Sequence, residues 1–129
     1  MLACLKGPAR GKNTLEAKIK ALYESEVSDD WKTWYEMTSP EIRRECSFKE
    51  FKKDLGQREY KILSWKIMSI RNVEHPKDTP KNIQAAAAVA MDVVTEYPDG
   101  KREKATDQTD YWVLINNQWY WSWRGWPHD

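Results

Sequence analysis

Few side chains in this chain are of a type that does acid–base or nucleophilic chemistry. There are two histidines. His75 precedes Pro76 at the end of a strand pattern, and His128 lies one residue from the last position; both are solvated settings. Three aspartates, Asp92, Asp107 and Asp110, fall within strand patterns. Asp107 is the carboxylate candidate for a general base. Pairing it with Met91 turns it toward an apolar interior, where burial raises a carboxyl's pKa toward working pH. A solvated strand aspartate is the plainer reading of the same residue. Trp31, Tyr35, Tyr111, Tyr120 and Arg124 form a second set, suited to a small apolar ligand carrying one acidic group. Arg124 would meet the acid and the rings would supply contact area. The plainer reading of these aromatics is that they fill the core. Cys4 and Cys46 make no disulfide framework, and no Cys/His cluster has metal-ligand spacing. With no Ser–His–Asp arrangement and no phosphate loop, neither a metal nor a cofactor is expected.

The elements that would position these residues come in two halves. Residues 1–12 hold Gly, Pro and scattered basic residues without a period and read as a flexible arm. Leu15, Ile19, Leu22, Tyr23 and Val27 then recur at helical spacing, which predicts a helix over about 14–26 with Asn13 as its cap. Trp31, Trp34, Tyr35 and Met37 share one face of a second helical segment. Ser39-Pro40-Glu41 is a cap followed by proline at the first helical position. Ser47-Phe48-Lys49-Glu50 is a capping box, and Gly56 stops its helix. After Gly56 the pattern changes to strands: 60–73, 83–97, 101–115 and 118 to about 124. The turns between the last three are Pro98-Asp99-Gly100 and Asn116-Asn117, where asparagine tolerates positive φ. One α+β domain over 13–126 is expected, with N-terminal amphipathic helices on a curved antiparallel sheet of about four strands.

The turns set a register, and the register sorts side chains onto two faces. One face holds Ile83, Ala85, Ala87, Val89, Met91, Val93, Tyr111, Val113, Ile115 and Tyr120, and is assigned to the helices. The other sets a row of alanines, with Asp92 and Asp110, beside Trp112, Trp119, Trp121 and Trp123. A contiguous aromatic patch on a domain surface usually marks a contact surface. Dimerisation or partner binding through these four tryptophans is therefore expected. The competing reading is that a bulge turns the tryptophans inward, since one extra residue exchanges the two faces.

Composition bounds the partners. Lys+Arg 21 against Asp+Glu 20 leaves a net charge of +1, which speaks against nucleic acid or an anionic membrane as main partner. No apolar run is long enough to span a bilayer, so no integral membrane segment is expected. Met1-Leu2-Ala3-Cys4 is similar to the end of a lipoprotein cleavage site without the apolar segment that should precede it. Localisation stays open between cytoplasmic and, if Cys4 is a trimmed lipid site, extracytoplasmic.

Residues 30–51, DWKTWYEMTSPEIRRECSFKEF, resemble an order of short helix, S-P-E and S-x-x-E-F found in the nuclear-transport-factor-2-like superfamily. The similarity is closest to small bacterial extracytoplasmic members. Ala88 to Trp119 resembles their A-x-V hairpin, turn and late aromatic strand, with Asn116-Asn117-Gln118 where Asp-Gly-Lys is common. The resemblance implies a cone of helices wrapped by the sheet. Two functional classes follow from the residues and the resemblance together. One is a non-catalytic binding or protein-interaction module, expected to be a homodimer with an apolar pocket in the cone. The alternative is an isomerase- or cyclase-type enzyme using a carboxylate in the cone, with Tyr or Asp donors beside it.

Overall fold

The computed structural model describes residues 3–74 and 82–122, with side-chain detail for all of these except 3–13 and Asp107. Four helices come first: α1 (Ala3–Ser28), α2 (Trp31–Glu36), α3 (Pro40–Glu45) and α4 (Phe48–Gly56). Four strands follow: β1 (Lys61–Val73), β2 (Ile83–Glu96), β3 (Arg102–Ile115) and β4 (Gln118–Ser122). The strands pair in chain order as an antiparallel sheet, and the helices pack on one side of it. This is the α+β architecture the sequence predicts.

Local chemistry explains most boundaries. Ser39 and Ser47 cap α3 and α4 through the backbone N–H groups of Ile42 and Glu50. Glu50 returns the bond to the Ser47 N–H, completing the capping box. Asp29, at φ 57°, separates α1 from α2, and Asp30 caps α2. Asn116 and Asn117 turn β3 into β4 at φ 51° and 63°, as a two-residue hairpin requires. One boundary differs from expectation. The helix of α1 begins at Ala3, so Asn13 is an interior position and the stretch read as a flexible arm is helical from Ala3 on.

The register carries the main correction. From Glu96↔Arg102 to Val93↔Ala105 the β2–β3 pairing follows the turn as expected. Between Met91 and Val93 it shifts, because Thr106 and Asp107 together oppose Asp92. Met91 then pairs with Gln108, and Ala87 with Trp112. This one-residue bulge inverts β3 and β4 relative to β2. The helix-facing layer therefore combines Ala85, Ala87, Val89, Met91 and Val93 with Trp112, Leu114 and Trp119. Tyr111, Val113, Ile115 and Tyr120 move to the outer face, in a small cluster with Val73 and Ala86, and Ile83 joins them because a second register shift separates it from Ala85. The β4 edge is covered in turn. The Trp121 N–H donates to the Met37 carbonyl at 2.7 Å, and the Ser39 N–H donates to the Trp121 carbonyl at 2.9 Å, bridging Thr38 to Trp121.

Candidate functional site

The largest rings gather at one end of the layer between helices and sheet. Trp34 is packed edge-on by Phe51 at 5.4 Å and lies 6.0 Å from Trp121. Trp112 and Trp119 are buried in the same cluster with Leu15, Ile19 and Leu22 of α1. The expected association surface is thereby overturned: Trp112 and Trp119 are core, and Trp121 is half-buried beside Trp34. Trp123 lies outside the described residues.

Toward the C-terminal end of α1 the layer opens into a chamber of about 220 Å³. One helical turn supplies Leu22, Tyr23 and Glu26, and the sheet supplies Val93, Gln108 and Asp110 opposite. Asp110 points inward because of the bulge, which places it on the same face as Trp112. The Tyr23 hydroxyl donates to an Asp110 oxygen, and Gln108 Nε2 donates to that hydroxyl oxygen at 3.1 Å. The Tyr23 ring is itself held by stacking on Trp65 at 5.6 Å. Burial pushes the Asp110 carboxyl above the ordinary carboxylate range, against the bonds from Tyr23 and Gln108, which favour its charged form. Burial, with the Asp110 charge next, holds the Tyr23 phenol protonated well above its usual range.

Glu26 links the chamber to a caged cation. Its carboxyl is raised to about 8, chiefly by burial, with Arg58 pulling down and Asp110 pushing up. Arg58 Nη1 lies 3.7 Å from Glu26 Oε1, and its Nη2 donates to the Glu26 carbonyl at 2.9 Å. The guanidinium also lies over the rings of Trp34, Trp31 and Tyr60 at 5.0, 5.4 and 5.6 Å. A cation held over aromatic faces while pairing a carboxylate is a rigid anchor for the end of α1.

The residues singled out from sequence do not form one site. Trp31 stacks on Trp34 at 5.8 Å and on Arg58. Tyr35 donates to the Cys46 carbonyl at 2.7 Å and packs edge-on against Phe51, tying α2 to α3 and α4. Tyr111 and Tyr120 lie on the outer face, Tyr120 under the Arg43 guanidinium at 5.5 Å. Arg124 lies outside the described residues, as do His75 and His128. Asp107 is in the bulge by its backbone, and its side chain is outside the described residues. The chamber's own groups, Tyr23, Glu26, Gln108 and Asp110, escaped sequence reading. Tyr23 was indistinguishable from the apolar stripe of α1, and Asp110 was assigned to the wrong face.

Among the described residues, no three His, Cys, Asp or Glu side chains come together to hold a metal ion. No helix among the described residues is long and apolar enough to cross a membrane.

No protein-family profile matches this chain, and no curated protein matches it. Among solved structures it is similar to a SEC-C motif-containing protein from Psychrobacter arcticus, with a TM-score of 0.59 and 16% identity. The match covers 84% of this chain and 58% of that one, so the chain spans under two-thirds of that protein's length. At this identity the likeness speaks for the fold alone.

Proposed function

We propose that this chain is a nuclear-transport-factor-2-like domain that binds a small molecule in the chamber between α1 and the helix-facing side of the sheet. The observation that carries the reading is Asp110, a carboxylate turned into the layer and held by Tyr23 beside a second carboxyl, Glu26. Burying two acids in a fold of this size is costly, and a stability role is better served by apolar residues. The element order and the curved sheet support the superfamily assignment. Because Trp112 and Trp119, two of the four tryptophans that suggested association, lie in the core, dimerisation is not part of this proposal.

The test is a fragment screen by protein-observed NMR on the full chain and on Thr95→Trp, which places an indole in the chamber mouth. Fragments are expected to shift resonances of Tyr23, Val93 and Asp110 in the natural chain and to lose that effect in the variant. Binding that survives Thr95→Trp, or shifts confined to other surfaces, would overturn the proposal.

One observation also favours an enzyme of the isomerase or cyclase type. Glu26, raised to about 8, is poised to exchange a proton near neutral pH, and the Tyr23 phenol is a donor in the same chamber. In this reading Glu26 takes the role expected of Asp107. Deuterium exchange next to the carbonyl of small cyclic ketones, lost in Glu26→Gln, is the expected sign; equal exchange in the variant would remove it.

A further inference from the structure

The chamber's wall has a chemical bias. It carries three carboxylates, Glu26, Asp110 and Glu103, and the rings of Tyr60, Tyr97 and Trp121. Among the described residues no lysine or arginine lines it; the Arg58 guanidinium, which pairs Glu26, sits in its own aromatic cage. Tyr60 and Tyr97 stand 6.2 Å apart at one side, and the Tyr97 hydroxyl reaches Glu103 at 3.4 Å. Resting on the reading of this chamber as a binding site, we infer that its ligand is a small amine, bound as the ammonium with an apolar body.

The argument is one of complementarity. A primary ammonium offers three donors and no acceptor, while an ionised carboxylate is acceptor-only with capacity beyond the bonds Tyr23 and Gln108 make to Asp110. Aromatic faces attract cations and also accept an apolar body, so the same walls serve both parts of such a ligand. An arriving cation also removes the penalty that burial places on Glu26 and Asp110. An acidic ligand, expected from sequence through Arg124, would meet the Glu103 carboxylate and two buried acids whose charged forms burial already disfavours. A neutral ligand would bring no counter-charge to Asp110 or Glu103.

The test uses three probes of one size and shape: benzylammonium, benzoate and benzyl alcohol, titrated by calorimetry into the full chain. Benzylammonium is expected to bind at least about tenfold more tightly than the other two. Asp110→Asn and Glu103→Gln should each weaken it by roughly three- to tenfold. Glu103 is exposed, so its variant keeps the test decisive if Asp110→Asn fails to fold. Equal or tighter binding of benzoate or the alcohol, unchanged amine affinity in both variants, or no binding of any probe overturns the inference. Thr95→Trp separates the two levels. If the alcohol binds in a Thr95→Trp-sensitive way and the amine does not bind, the chamber stands as a site and the amine falls. If the amine binds equally to Thr95→Trp, the site itself is elsewhere.

Discussion

Helix α1 packs against the sheet in two ways along its length. Leu15, Ile19 and Leu22 enter a layer of rings built by Trp34, Phe51, Trp112 and Trp119, where the packed side chains are apolar. One turn further on, Tyr23 and Glu26 face Asp110 and Gln108 around an open chamber. The first region tolerates small imperfections: the indole N–H groups of Trp34 and Trp112 are buried without a hydrogen-bond acceptor among the described residues. A neutral donor left unmet costs about 1–3 kcal/mol, which contact area of this extent outweighs. The second region concentrates groups whose charged forms burial disfavours. A fold keeps such groups more readily for what they bind than for what they stabilise. Arg58 joins the two, stacking on Trp34 of the first and pairing Glu26 of the second.

The largest effect is expected in the ring layer. Trp34→Ala removes a fully buried indole, its edge contact with Phe51 and the platform under Arg58. A loss of about 3–5 kcal/mol is expected in urea unfolding. A loss below about 1 kcal/mol would mean that this region is not the structural half of the comparison.

Arg58→Met should cost about 3 kcal/mol once Glu26 is ionised, since it leaves that carboxylate buried without its cation. The sign with pH is specific. Arg58 is the group that lowers the Glu26 pKa, so without it Glu26 is pushed further above about 8. The variant's deficit should therefore grow as pH rises into the alkaline range. A deficit that shrinks there would sever the link between the two regions.

How much of this contrast was legible beforehand depends on one residue. Capping chemistry at Ser39 and Ser47, the turn asparagines and the strand patterns gave the element order, because each is a local signal. The phase of β2 from Ala85 on was also readable, since its flanking turn fixes it, while Ile83 lies beyond a second shift. The phase of β3 was not. The extra residue at Thr106-Asp107 sits in a polar run where alternation carries no information about faces. Every assignment downstream of it inverted: Trp112 and Trp119 became core, Tyr111 and Tyr120 went outward, and Asp110 turned in. The bulge had been recognisable as a possibility but not as a position. Arg58 was invisible for another reason, because its partners come from α1, α2 and the start of β1, and only tertiary packing joins them.

The pH dependence of the natural chain sharpens the comparison further. A carboxyl whose folded pKa lies above its unfolded value adds stability that is complete at low pH and is lost as pH rises through the folded value. For Glu26 that window runs from 4.5 to about 8. The natural chain should lose about 2–4 kcal/mol across it, and Glu26→Gln should flatten the slope by most of that amount. Asp110, raised in the same direction, leaves a residual slope at the acidic side. Chemical denaturation at a series of pH values measures both. Parallel curves for the two chains would show that Glu26 titrates as a solvated acid.

The smallest effect is expected at Tyr23→Phe, which keeps the stacked ring and removes only the hydroxyl. In the ring layer such a change would be close to neutral. In the chamber it takes a donor from Asp110, so about 1–2 kcal/mol should be lost near neutral pH. Because that bond favours the charged carboxylate, its removal raises the Asp110 pKa further. The deficit should then vanish at acid pH, where the carboxyl is protonated in both chains. Carbon-detected NMR titration of Asp110 reads this directly. An unchanged or lowered midpoint would mean that the hydroxyl serves packing alone, and the chamber would lose the feature that sets it apart from the rings beside it.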